Sequence, residues 1–126
     1  MIRNRSNISS YVTKDGSRIW ELLHPGSSPA RDISIAEALV EPGQETDSHI
    51  HRRSQEIYYV LEGSGTMRLG ADEMTVGEGD AILIMPGTSH MVKNTGQEDL
   101  RILCICHPPY SHEDTELERL GSRCTP

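Results

Sequence analysis

Phenylalanine is absent from the 126 residues, tryptophan occurs once and tyrosine four times. An interior must therefore be built from Ile, Leu, Val, Ala and Met. No apolar run approaches the ~20 residues a membrane helix needs, and the opening MIRNRSNISS has no apolar signal core. The chain is expected to cross no membrane, and a cytoplasmic location follows by default. Positive charge is also short: 12 Lys and Arg stand against 19 Asp and Glu, giving a net charge of −7 and a pI of about 5.3. That excludes the basic stripe by which nucleic-acid binders are known, so no nucleic-acid partner is expected. Arg52 and Arg53 form a pair rather than a patch and read as a solvated turn. The three cysteines, Cys104, Cys106 and Cys124, are odd in number and follow no signal peptide, which argues for reduced thiols. Cys104 and Cys106 would share one strand face with parallel side chains, a poor geometry for a disulfide. They read as small buried hydrophobes, with the sharper alternative that one lines a pocket.

Turn residues are plentiful and recur at intervals of roughly ten residues or less, the spacing of an all-β sandwich or barrel. Apolar segments between them read as strands: Arg18 to Leu23, Ile33 to Glu41, Ile57 to Leu61, Thr66 to Leu69, Glu73 to Val76, Ala81 to Met85, His90 to Lys93 and Leu100 to Cys106. Residues 1–17 are polar, with an Asp15-Gly16 turn, and the first few are expected to be loosely held. After Pro108 the chain turns polar again. Ser111 with Asp114 three residues on reads as a helix start, so a short helix is expected over Ser111 to Leu120. The length fits one domain, 1–126, with a barrel core of about 30–108.

The chemistry concentrates in GQETDSHIHRRSQEIYYVLEG, Gly43 to Gly63. His49 and His51 are two apart, so on a strand both point to one face, about 6.6 Å apart along the axis. A polar break at Arg52 to Ser54 reads as a turn, and a hairpin there would return Glu56 opposite the two imidazoles. A second stretch, GDAILIMPGTSHMVKN from Gly79 to Asn94, delivers His90 after a Pro-Gly turn. Imidazoles plus one carboxylate suit Zn, Fe, Ni, Cu or Mn. An H-x-H pair alone is weak; two stretches offering ligands from separate strands are what a metal site needs. Tyr58, two residues after Glu56, should share the inward face, either as a core tyrosine with its hydroxyl satisfied or as a proton-donor candidate, while Ile57, Tyr59 and Leu61 point outward. Gly63, Gly79 and Gly87 stand where tight turns need positive φ.

These two stretches resemble the two motifs of the cupin superfamily. Gly43, His49, His51, Glu56 and Gly63 match the first motif at every spacing, and Gly79, Gly87, His90 and Asn94 match the second; Met85 stands where the family usually has a proline. The resemblance, to small single-domain metal cupins of the mannose-6-phosphate isomerase-like kind, implies a double-stranded β-helix (jelly-roll) barrel with a short polar C-terminal extension. It implies one divalent transition-metal ion (Mn, Fe, Ni, Zn or Cu) held by His49, His51, Glu56 and His90. It also implies a small-molecule ligand or substrate. The expected function is that of a small metal-dependent enzyme, an isomerase, decarboxylase, lyase or dioxygenase. The alternative is a non-catalytic cupin that binds or senses a small ligand. The strands apolar on both faces, 33–41 and 100–106, with the outward set Ile57, Tyr59 and Leu61, lead us to expect a homodimer, the Trp20 segment adding as a strand across it.

Overall fold

The computed structural model describes residues 1–118. Eleven strands follow a short 3-10 turn at Arg5–Asn7: β1 Tyr11–Val12, β2 Arg18–Leu23, β3 Ser34–Val40, β4 His49–His51, β5 Gln55–Glu62, β6 Ser64–Leu69, β7 Asp72–Gly77, β8 Ala81–Ile84, β9 His90–Asn94, β10 Leu100–His107 and β11 Thr115–Leu117. They form two antiparallel sheets, of order β1-β2-β3-β10-β5-β8 and β11-β4-β9-β6-β7. This is the all-β architecture expected from the turn spacing, and the jelly roll that the cupin resemblance implies.

Alternation along the strands decides what faces inward. On β10, Leu100, Ile102, Cys104 and Cys106 are buried and the residues between them are less so; on β5, Glu56, Tyr58 and Val60 are buried while Ile57 and Tyr59 are exposed. Because the period is two, one residue of slip would turn every inward group to solvent. Turns pin that register. Gly63 has φ 89°, and a side chain there would meet the Asp99 carbonyl at 2.6 Å; a side chain at Gly65 would stand 2.3 Å from the Lys93 carbonyl, where β6 passes β9. Only glycine fits either place. Met67, Val60, Leu100, Ile102 and Val92 fill the space between the sheets, compensating with aliphatic volume for the missing phenylalanines.

The structure corrects three expectations at the ends of the chain. The opening residues are tied down rather than loose. Arg5 pairs with Glu37 at 2.7 Å and its guanidinium lies 3.7 Å from the centre of the Trp20 ring, while Arg3 donates to the Leu22 carbonyl. The Trp20 segment, β2, pairs with β3 of its own chain instead of crossing to a partner. Glu37, buried on the outer side of β3, is held at the same time by Arg101 at 2.9 and 3.0 Å. Finally, the expected helix over 111–120 stops after one turn. Ser111 does cap Glu113, but the Asp114 carboxylate is taken by the backbone N–H groups of Arg53 and Ser54. The chain then extends into β11, which supplies partners for the otherwise open edge of β4. Leu120, like Cys124, lies outside the described residues.

Candidate metal centre

β4 presents two side chains to the barrel interior, and both are histidines: His49 and His51 are buried while Ile50 between them is half-buried. Across the ladder, His49 pairs with His90 at the start of β9. The three ring centroids stand 4.1, 5.0 and 5.3 Å apart. Glu56 reaches in from β5 on the facing sheet, with Oε1 3.0 Å from His51 Nε2 and 3.6 Å from His90 Nε2. The turn of Arg52–Ser54 brings it there.

Each ring is oriented from behind. His49 Nδ1 bonds the Asp47 carbonyl at 2.8 Å, and His90 Nδ1 bonds the Thr88 carbonyl at 2.9 Å. A carbonyl only accepts, so each Nδ1 carries the proton and each Nε2 turns a lone pair inward. His51 Nδ1 meets Thr115 Oγ1 at 3.0 Å, and that hydroxyl donates to the Ser111 carbonyl at 2.8 Å, which fixes the third ring the same way. Rings anchored through Nδ1 are the usual form of metal-bound histidine. The three inward nitrogens lie within 4.8 Å of one another, positioned to hold a metal ion. Glu56 Oε1 and His90 Nε2 are buried with no hydrogen-bond partner. Buried polar atoms left unpaired are costly, so atoms of this kind aimed at one point mark a place for a cation. The donor set of three nitrogens and a carboxylate oxygen fits a divalent transition ion.

The electrostatics agree. Burial lowers the His49 imidazole below its usual value, and the neighbouring His90 ring adds to this, which favours the neutral ligand form. Burial alone would raise the Glu56 carboxyl. The close approach of the His51 and His90 rings outweighs it and brings the carboxyl to about 2.

A partly open cavity of about 50 Å³ adjoins the histidines, with room for about four water molecules. Tyr58 lines it as its position predicts, its ring 6.0 Å from His90, and among the described residues nothing hydrogen-bonds its hydroxyl. Burial, then the Glu56 charge, pushes the phenol well above its ordinary value, so it stays protonated. Both thiols of β10 line the cavity and are free. Cys106 Sγ, directly across the ladder from Glu56, donates to Glu56 Oε2 at 3.3 Å. Sequence reasoning missed three further groups. Asp15 Oδ2 comes within 3.7 Å of His49 Nε2, the Tyr110 ring stands 5.9 Å from that of His51, and Thr115 anchors His51. All three arrive from the terminal segments, where no local periodicity signals an inward face. Arg52 does not face the cavity: it pairs with Glu116 at the surface.

The cupin-domain family matches residues 36–106. This chain belongs to the cupin family. An uncharacterized protein of Methanocaldococcus jannaschii is 51% identical to it over 110 residues, covering 87% of this chain and 88% of its own. An oxalate-binding protein of Thermotoga maritima is 33% identical over 71 residues, 56% of this cupin and 59% of that protein. Among solved structures, a predicted oxalate decarboxylase of Thermotoga maritima superposes with a TM-score of 0.76 at 25% identity, over 86% of this chain and 99% of its own. The Streptomyces nucleoside dehydratase Pac13 reaches 0.76 at 18% identity over 94% and 91%, a likeness of fold alone.

Proposed function

We propose that this cupin holds one divalent ion between His49, His51, His90 and Glu56 and acts as an enzyme on a small molecule in the adjoining cavity. The observation that carries the reading is the pair of buried, unpartnered atoms, Glu56 Oε1 and His90 Nε2, aimed at the same point as the other two imidazoles. When bound, the ion supplies Lewis acidity toward a substrate oxygen, with Mn, Fe, Ni, Zn and Cu all compatible with the donors. The chain's own part is clear. The rings are anchored from behind, Cys106 steadies the far oxygen of Glu56, and Tyr58 holds a proton at its hydroxyl over the cavity. Isomerisation, decarboxylation, lyase and dioxygenase chemistry all remain compatible with a metal and one proton donor.

A second reading, a cupin that binds or senses a ligand without turnover, draws on the shortage of acid–base groups. The Tyr58 phenol and the Cys106 thiol are both pushed up by burial and by Glu56, so neither titrates near neutrality. Metal analysis of protein purified from its own host, then a substrate panel with that metal, separates the two. Oxalate, which a Thermotoga maritima relative is named for binding, belongs in the panel. As an enzyme, the protein should lose about 10²-fold or more in turnover on Tyr58→Phe with metal content unchanged. As a binding module it should show no turnover in either form and lose about 1 kcal/mol of ligand affinity.

We further propose a homodimer built on the outer face of β5 and β8. Tyr59, Leu83 and Met85 there are 42%, 53% and 52% exposed, side by side with Ile57, and clustered apolar groups of this kind are commonly covered. Light scattering at micromolar concentration should give twice the chain mass of 14.0 kDa; the single mass refutes the dimer. We assign the protein to the cytoplasm, a reading that the two free buried thiols support.

A further inference from the structure

The cavity beside the histidines has a one-sided charge. Among its described lining residues are three carboxylates, Asp15, Glu21 and Glu56, and no lysine or arginine. The nearest cation in sequence to Asp15 is turned away: Lys14 Nζ donates to the carbonyls of His112 and Thr115 at 3.0 and 2.7 Å. Asp15 itself is 8% exposed. Its Oδ1 is occupied by the Ser17 N–H at 2.9 Å and hydroxyl at 2.7 Å. Its Oδ2, 3.7 Å from His49 Nε2, has no hydrogen bond among the described residues. The Tyr58 hydroxyl is equally without a partner. Most of the remaining surface is apolar, from Ile19, Ala38, Val40, Val92 and Ile102.

Beside the candidate metal ligands, the cavity thus offers a buried unused acceptor at Asp15 Oδ2, an unused donor at Tyr58 and an apolar wall. We propose that its ligand is an uncharged small molecule that carries a hydroxyl, enol or amide donor on an apolar body, and that Asp15 selects it. The proposal rests on the metal-site reading above. A divalent ion with one carboxylate among its ligands leaves a single positive charge, and Asp15 cancels it. Glu21 then makes the surroundings negative. A dianion would enter this space without a cationic side chain to receive it, and burial of unpaired charge is strongly disfavoured. A neutral donor costs no charge burial and gives Asp15 Oδ2 the hydrogen bond it otherwise lacks among the described residues.

The test is calorimetric titration of zinc-loaded, dialysed protein with catechol, a neutral diol on an apolar ring, and with oxalate. We expect catechol to bind at least about tenfold more tightly than oxalate, the scale of one hydrogen bond to a charged group. Asp15→Asn keeps the Oδ1 acceptor for Ser17. It should weaken catechol and strengthen oxalate, each by about tenfold. Glu21→Gln, on a half-buried strand position, should strengthen oxalate and leave catechol unchanged, which keeps the test open if the Asp15 variant does not fold. Oxalate that binds wild type as tightly as catechol overturns the proposal. So does an absence of catechol binding, or a pair of variants that move neither ligand. Metal content measured before any ligand is added separates the two levels. Protein that retains no zinc refutes the site itself, whereas protein with stoichiometric zinc and the wrong preference refutes only the ligand class.

Discussion

The two ends of this barrel are made from the same strands and do opposite things with polar atoms. At one end, Asn94 is fully buried, and every polar atom of its side chain is used. Its amide donates to the Val40 and Glu98 carbonyls, both at 2.8 Å, and its oxygen accepts from the Gly96 N–H at 2.9 Å. At the other end of the same strand, His90 is equally buried and its Nε2 is left unused, opposite an unused Glu56 Oε1. Between them lies Val92, in a wall of aliphatic side chains. The distance from spent to unspent polarity is four residues along β9, about 13 Å of strand. A satisfied buried polar group holds structure, whereas an unsatisfied one waits for something.

Substitutions at the two ends should therefore separate metal from stability. The largest effect is expected for His51→Ala with His90→Ala, which should take metal content from stoichiometric to none by elemental analysis after dialysis, because two ligands rarely retain a transition ion. Retained stoichiometric metal would remove these histidines from the site. The opposite result is expected in the wall: Met67→Ala should leave metal content intact and cost about 2–5 kcal/mol in chemical denaturation. A metal deficit in that variant would mean the two ends are not separable.

The next effect concerns pH. Folded Glu56 sits at about 2, below its ordinary 4.5, so the native state binds fewer protons than the unfolded one. The stability this gives is present in full above pH 4.5 and is lost as pH falls toward 2, on the order of 3 kcal/mol. Denaturation of metal-free protein should show wild type and Glu56→Gln far apart at pH 5 and converging near pH 2.5. A constant gap would contradict the assigned charge state. The smallest effect is Thr115→Val, which removes the anchor behind His51. Metal affinity should fall about 10-fold to 100-fold by competition with a chelator. Thr115→Ser, which keeps the hydroxyl, should restore it, and equal affinity in all three proteins would deny Thr115 its role.

The histidine end was legible in the sequence because strand geometry is local. His49 and His51 share a face by period two, and the polar break at Arg52 to Ser54 and the Pro86-Gly87 turn announce where Glu56 and His90 re-enter. The strands from β2 to β10 were legible for the same reason, to within a residue or two at their ends, whereas β1 and β11 were not. What the sequence concealed came from contests between distant parts. The capping signal at Ser111 is real, but one turn of helix is worth less than pairing the open edge of β4, so Thr115 lands behind His51 instead of on a helix. Asp15 reads as a turn residue, and it is one. Its second employment in the cavity depends on where the Asp15-Gly16 turn docks, with the Asp15 carbonyl accepting from the Asp47 N–H at 2.7 Å. The Trp20 segment was expected to reach across a dimer because nothing local shows that Arg5 covers the ring.

The residues that match the family, 36–106, contain every candidate ligand and none of Asp15, Tyr110 and Thr115. The candidate ligands are thus encoded in one continuous block, and the groups that orient them or line the cavity beside them are encoded on either side of it. An exchange of the terminal segments between two such barrels would hand over ligand preference and metal grip while leaving both coordination motifs untouched. The barrel is the socket, and under the ligand proposal above its selectivity is carried by the two terminal segments of its own chain.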